Sequence, residues 1–261
     1  MLHHKTALIT GASGGIGLAF AELLARKRFN LVLVARNRKK LEAVKKNIQD
    51  RFGVKVGIEA ADLSRPGAAD KIFKALQKTK TPVEILVNNA GSGDFGPFAE
   101  SDWKRQSDMI ELNIHSLTHL TRLFLPHMIQ KGYGRILNIA STAAFQPGPL
   151  MAVYYASKAY VLSFSEAIAN ELRGTGVTAT ALCPGPTESD FSRAADMTGS
   201  KLFKGKKLPT AMAVADYGYR ALMKGAPVAI HGLVNAAMAL SVRFTPRRFV
   251  TAFVRRLQEK T

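Results

Sequence analysis

Cysteine is almost missing from this chain of 261 residues, with Cys183 the only one. A single thiol excludes an internal disulfide framework and suits a reducing compartment. Its place before Pro184 in an apolar stretch reads as a small buried core residue, not a reactive thiol. No uninterrupted apolar run reaches the roughly 18 residues of a membrane-spanning helix. The nearest, 226–242, carries no charge but is broken by Pro227, His231, Gly232 and Asn235, and reads as a last strand, a turn and a helix. Internal repeats, low-complexity tracts and proline-rich linkers are also missing, so one domain over 1–261 is the economical reading. His115 and His119 lie four apart on a helical segment without a visible third ligand, so no metal site is expected. No nucleic-acid-binding motif is present, and no nucleic-acid partner is expected. No secretory signal stands before the first strand candidate, which sets the expectation of a cytoplasmic protein.

Acidic residues are scarce. The chain has 19 Asp and Glu against 37 Lys and Arg, a net charge of +18. The excess falls in three blocks: residues 26–55 hold 11 basic and 2 acidic side chains, 201–207 hold 4 basic and none acidic, and 243–261 hold 6 basic and one acidic. Each block is either a solvated charged surface or a field that attracts an anionic partner.

Apolar residues make up 47% of the sequence, enough for a full core. Short apolar, β-prone runs at 7–10, 30–34, 55–60, 85–88, 134–139, 178–182 and 228–230 alternate with segments of helical period. That βαβ rhythm predicts an α/β fold: a Rossmann-type, doubly wound parallel sheet of about seven strands with helices on both faces. Ligands bind such a sheet at the carboxyl ends of its strands. The first strand candidate leads into Gly11-Ala12-Ser13-Gly14-Gly15-Ile16-Gly17 and then into a helical run from Leu18. Strand, glycine-rich turn and helix form a phosphate cradle, because the glycines allow a tight turn and close backbone approach and the helix N-terminus presents free N–H groups. The same spacing also occurs in plain structural turns.

Tyr154 and Lys158 are four apart, hence on one face of a helix. An ammonium beside a phenol favours the phenolate and is expected to lower the Tyr154 pKa from about 10, making it a usable general acid or base. Ser141, thirteen residues earlier, supplies a hydroxyl able to hold a substrate oxygen as charge develops on it. Tyr155 is three residues before Lys158 and about 100° further round the helix, which marks it as a packing residue. The second strand ends on Ala35-Arg36. A carboxylate there would accept bonds from the ribose hydroxyls of NAD, whereas a guanidinium pairs with the 2′-phosphate of NADP. Ser13 adds a hydroxyl donor. Arg38, Lys39 and Lys40 read as solvated helix residues.

Taken together, Thr10-Gly11-Ala12-Ser13-Gly14-Gly15-Ile16-Gly17, Asp62-Leu63, Asn88-Asn89-Ala90-Gly91, Asn113, Ser141, Tyr154-x-x-x-Lys158 and Pro184-Gly185 closely resemble the short-chain dehydrogenase/reductase family, in family order and spacing over about 5–189. Arg36 and the run Cys183-Pro184-Gly185-Pro186-Thr187 resemble its bacterial-type, NADP-preferring reductases. The resemblance implies Tyr154 as proton donor to a carbonyl. It makes Lys158 the group that tunes Tyr154 and binds the nicotinamide ribose, Ser141 the holder of the carbonyl oxygen, and Asn113, on the helix after the fourth strand, the keeper of a water link to Lys158. It places Asp62 and Leu63 near the adenine, Asn89, Ala90 and Gly91 along the cofactor, and Pro184, Gly185, Thr187 and Ser189 at the nicotinamide amide and pyrophosphate. It further implies NADP(H) in preference to NAD(H), a small carbonyl or alcohol substrate, and a homodimer or homotetramer.

Two segments carry further expectations. Residues 186–215 form a candidate substrate lid whose lysines suggest an anionic or carrier-linked substrate, such as a 3-oxoacyl thioester. Residues 232–261 form a basic amphipathic extension, which either packs on its own domain or a partner subunit, or lies weakly on an anionic membrane surface. A nucleotide-binding regulator without catalysis is the reading from another class, and the intact Ser141, Tyr154 and Lys158 weigh against it.

Overall fold

The computed structural model describes residues 5–188, 191, 195 and 208–259. Among the described residues there are seven strands: β1 (Thr6–Thr10), β2 (Asn30–Ala35), β3 (Val56–Ala60), β4 (Ile85–Asn88), β5 (Gly134–Ile139), β6 (Val177–Cys183) and β7 (Val228–Ile230). Each lies within a residue of its expected bounds. They form one parallel sheet in the order β3-β2-β1-β4-β5-β6-β7. The winding reverses between β1 and β4, so a crevice opens at their carboxyl ends.

The helices are α1 (Gly15–Arg26), α2 (Arg38–Phe52), α3 (Ala68–Lys78), α4 (Trp103–Ile110), α5 (Leu117–Gln130), α6 (Ala152–Glu171), α7 (Ala211–Lys224), α8 (Leu233–Ser241) and α9 (Arg247–Gln258). Because successive strand residues point to opposite faces, Ala7 and Ile9 pack with Phe20 and Leu23 of α1, Leu41 of α2 and Leu222 of α7. Leu8 between them packs on the other face with Ile72 of α3, Phe124 of α5 and Ile168 of α6. The near-continuous burial of β1, β4 and β6 is what a parallel sheet covered on both faces requires.

A polar ladder crosses this apolar interior. Asn88 donates to Thr121 Oγ1 at 3.0 Å and to Asn138 Oδ1 at 2.9 Å, and Asn138 donates to Ser165 Oγ at 2.9 Å. Asn88 and Asn138 face each other in the β4–β5 register. A one-residue slip would break the ladder and bury its members unpaired, so it fixes the strand ends that carry the site. Asn138→Ala is expected to destabilise the protein by about 1–3 kcal/mol for each buried group left without its partner. The urea midpoint should fall with an unchanged slope; a midpoint equal to wild type would refute the ladder's role.

Candidate active site

The crevice is lined at one end by the turn between β1 and α1. Gly11 has φ 67°, in the left-handed region, and a Cβ there would stand 2.6 Å from Asn89 Nδ2. A Cβ at Gly17 would stand 2.3 Å from the Gly11 carbonyl oxygen. Only glycine fits either place. Gly14 caps α1 without any side-chain bond, and no acid occupies the first turn of α1. The first amides of α1 therefore keep their N–H groups for a ligand, and the positive end of the helix dipole is uncompensated. Thr10 Oγ1 accepts the amides of Asn89 and Ala90 at 3.0 and 2.9 Å, and Asn89 Nδ2 donates to the Thr10 carbonyl at 2.9 Å. These bonds tie the end of β4 to the cradle.

Arg36, at the end of β2, is exposed and borders the same cavity with Ser13, Asn37 and Lys40. Asp62, beyond β3, borders it too and accepts the Ser64 amide at 3.1 Å and hydroxyl at 2.7 Å. Burial works against ionisation of Asp62, but the Ser64 bonds and the charges of Arg36 and Arg65 hold the carboxyl below its usual range. The Leu63 carbonyl accepts the Ser116 hydroxyl at 2.6 Å, which anchors this wall to the following helices. A glycine cradle, an uncapped helix N-terminus and a hydrogen-bonded carboxylate fit a nicotinamide dinucleotide.

At the other end stand Ser141, Tyr154 and Lys158, on one wall of the cavity. Ser141 follows β5 and caps the short 3₁₀ turn Thr142–Phe145 by accepting the Ala143 amide at 3.1 Å. Tyr154 and Lys158 rise from α6, and Lys158 Nζ lies 5.7 Å from the Tyr154 ring centroid. Lys158 is buried and donates to the Ile139 carbonyl at 2.8 Å. Asn113 is buried; its amide group donates to the Ser92 carbonyl at 2.9 Å and to Ser157 Oγ at 3.0 Å, and its Oδ1 accepts the Ser92 amide at 2.9 Å. It thereby joins the loop after β4 to the residue preceding Lys158. Asn113 does not sit on a regular helix: Glu111–Ser116 is a π-helical turn between α4 and α5, a distortion that often accompanies functional positions.

The electrostatics correct one expectation. Burial pushes the Tyr154 phenol up to about 12, against a smaller lowering by its hydrogen bond with Ser141. Lys158 does not bring it down here, because its ammonium is turned to the Ile139 carbonyl and is itself poorly solvated. Burial draws Lys158 down to about 8, partly opposed by Cys183. Cys183 is buried and free, with its thiol pushed up to about 12 by burial, as a structural cysteine should be. Gly91, Asn89 and Ala90 border the cavity between the two ends, and a Cβ at Gly91 would meet Asn113 Oδ1 at 3.3 Å and Lys158 Nζ at 3.5 Å. Pro184, Gly185 and Thr187 close its floor beyond β6. Ser189 and the lysines of 201–207 lie outside the described residues, as does much of the lid expected at 186–215. His115 pairs with Glu111 and His119 with Asp70; among the described residues no three such groups gather as a metal site.

Sequence reasoning missed a whole wall. The C-terminal segment folds back over the opening, and Val234, Met238, Phe249, Phe253 and Leu257 line the cavity, which measures about 1570 Å³. Val250 and Val254 pack against Tyr155, Met151 and Ala143. Gln258, fully buried, donates through Nε2 to the Tyr155 hydroxyl 103 residues away. Through Val250, Val254 and Gln258, α9 packs on its own fold. The amphipathic spacing of α9 was the available signal; the sequence did not give its docking place.

A profile described as "short chain dehydrogenase" matches residues 5–198. A short-chain dehydrogenase from Sphingobium yanoikuyae, solved in complex with NADPH, is 32% identical and superposes with a TM-score of 0.84 over 92% of both chains. A bulky-bulky ketone specific alcohol dehydrogenase from Comamonas testosteroni is 28% identical, with a TM-score of 0.78 over 92% of both chains. A very-long-chain 3-oxoacyl-CoA reductase from Phaeosphaeria nodorum is 38% identical over 175 residues, which are 66% of this chain and 51% of that protein. Alignments with the first curated relatives span between 51% and 71% of those proteins' lengths.

The bond from Gln258 holds α9 against the helix that carries Tyr154. Gln258→Leu leaves the buried Tyr155 hydroxyl unpaired, a cost of about 1–3 kcal/mol. Proteolysis within 243–258 should accelerate in the variant at a temperature where the rest of the fold stays intact. Equal cleavage rates would show that the bond does not hold the wall.

Proposed function

The chain belongs to the short-chain dehydrogenase family, and from that premise we propose that it is an NADP(H)-dependent oxidoreductase that reduces a bulky, largely apolar ketone. One observation carries the proposal: Ser141, Tyr154 and Lys158 share a wall of the cavity that begins at the glycine cradle. Bound there, the dinucleotide supplies or accepts a hydride, while the protein provides orientation and electrostatics. Ser141 holds the carbonyl oxygen in place. Tyr154 delivers the proton to that oxygen from its hydroxyl, so the oxygen does not carry the full developing charge. Tyr154 suits this task in its protonated form, which its raised pKa keeps populated throughout the neutral range. Lys158 is a positioning group here, with a pKa of about 8 that lets a small change in its surroundings set its charge. Asn113 holds the loop at Ser92 and the helix at Ser157 so that Lys158 keeps its place; the water link to Lys158 belongs to the same proposal.

Arg36 supports NADP(H), since a guanidinium at the end of β2 meets a 2′-phosphate. The NADPH bound by the Sphingobium relative supports it too. The apolar far wall of the cavity, with Met151, Phe191, Phe249 and Phe253, favours a large apolar substrate, as does the ketone named for the Comamonas relative. A 3-oxoacyl thioester is the second reading, favoured by the Phaeosphaeria relative's name.

NADPH oxidation with a panel of aliphatic, aromatic and polycyclic ketones and 3-oxoacyl thioesters tests the activity. Tyr154→Phe should lower kcat by about 10²–10⁴-fold, the usual contribution of a positioned general acid, while NADPH binding stays within about twofold; turnover near wild type would place the proton donor elsewhere. Arg36→Asp should raise KM for NADPH far more than KM for NADH. Equal changes would remove Arg36 from cofactor choice.

A further inference from the structure

We infer that the C-terminal segment is a docking surface for an anionic phospholipid membrane, with the cavity mouth opening onto the lipid. Three observations converge on residues 233–257. The first is exposure. Leu233 is 90% exposed, Phe244 82% and Leu240 56%, and none of the three lines the cavity. Large apolar side chains in water cost free energy unless something covers them, and a cluster marks an interaction face. The second is charge. No Asp or Glu occurs between Asp216 and Glu259, whereas Arg243, Arg247, Arg248, Arg255 and Arg256 are all exposed. Arg255 pairs with Glu259 at 3.4 Å and Arg248 lies over the Phe249 ring; among the described residues no salt bridge holds Arg243, Arg247, Arg248 or Arg256. Apolar side chains bordered by arginines match the layered chemistry of a bilayer, with acyl chains below and phosphates above.

The third observation is continuity. Val234, Met238, Phe249 and Phe253 are each about half exposed or more, and each also lines the cavity. The rim of the cavity and the exposed face are one surface. A ketone dissolved in the membrane could pass from lipid into the cavity without crossing water; this last step rests on the reading under Proposed function, whereas the docking itself does not.

A second copy of the chain fits this face poorly. A two-fold contact presents the same patch twice, so five arginines would meet five arginines with Glu259 as the one acid of the segment 233–259. No described helix is long and apolar enough to cross a membrane, so the contact is an interfacial one.

Flotation of the full chain with vesicles of phosphatidylcholine alone, and of phosphatidylcholine mixed with phosphatidylglycerol, tests the proposal. The chain should float with the mixed vesicles at low salt, at least tenfold less with the neutral ones, and be largely released at high salt. Leu233→Glu combined with Phe244→Glu, and separately Arg247→Glu combined with Arg248→Glu, should each cut flotation at least tenfold. Both variants should keep wild-type melting temperature and NADPH affinity, since these four side chains lie outside the cavity. No flotation of the wild type, or equal flotation of both variants, overturns the membrane reading. So does a wild-type dimer by light scattering that the Phe244 variant dissociates, which would make the face a subunit contact. Ketone reduction is measured on the same samples without vesicles. Loss of that activity in the wild type would refute the proposed reaction and leave the flotation result to stand by itself.

Discussion

The site depends on the junction between the carboxyl ends of β1 and β4. Thr10 Oγ1 accepts two amides from the chain leaving β4, and Asn89 returns a bond to the Thr10 carbonyl. A parallel sheet supplies no such cross-bonds beyond its strand ends; without them the crevice at the reversal of strand order would splay. The junction brings the glycine turn and the loop of Asn89-Ala90-Gly91 so close that a Cβ at Gly11 or Gly17 collides with Asn89. The glycines are therefore required twice over, by the ligand they would face and by the neighbour they already touch.

From that junction the polar interior runs outward in steps. The Asn88–Asn138 pair fixes β5 against β4, and Ser141 follows at the end of β5. Ser165 ties the ladder to α6, whose earlier turns present Tyr154 and Lys158. Asn88, Asn138 and Ser165 are buried and bonded in series, with only Asn88 Oδ1 left without a partner, so errors of register would be costly, and the Ser–Tyr–Lys geometry inherits its precision from bonds remote from the chemistry. The same burial governs the proton affinities. It raises Tyr154 and lowers Lys158, so desolvation shifts both groups towards their neutral forms, although a lysine near 8 still carries its proton at neutral pH.

The sheet was legible in the sequence because buried parallel strands are short apolar runs set off by turns, and all seven were found to within a residue. The cradle and the Tyr154–Lys158 pair were legible because spacing alone fixes which side chains share a helix face; Tyr155 was correctly set apart as a packing residue by a single 100° step. The sense of the pKa shifts was not legible. Four residues of separation predicts proximity, but whether an ammonium lowers a phenol's pKa depends on where it points and how much water remains, and the Ile139 carbonyl claims it here. The π-helical turn at Asn113 was not legible either, since an extra residue in a helix leaves no mark on an otherwise helical pattern.

The helix α9 shows why amphipathic pattern alone falls short of function. Its twelve residues carry two apolar stripes, each with a spacing of four. Val250, Val254 and Gln258 are buried against the fold, while Phe249 and Phe253, each one position before a buried valine, stay more than half exposed; all four of these apolar side chains border the cavity. Arginines fill much of the remaining circumference. In sequence the two stripes merge into one broad apolar face, readable as packing, subunit contact or membrane contact. In the structure they separate by about 100°, so one stripe anchors the helix and frees the other to meet a ligand or a lipid. The buried stripe ends in a polar residue, Gln258, which finds its partner in Tyr155 beside the proposed proton donor. That bond fixes the rotation of α9, and the rotation decides that the valines are buried and Phe249 and Phe253 exposed. A one-residue turn of the helix would swing Gln258 by about 100° away from Tyr155 and leave the buried hydroxyl without its partner.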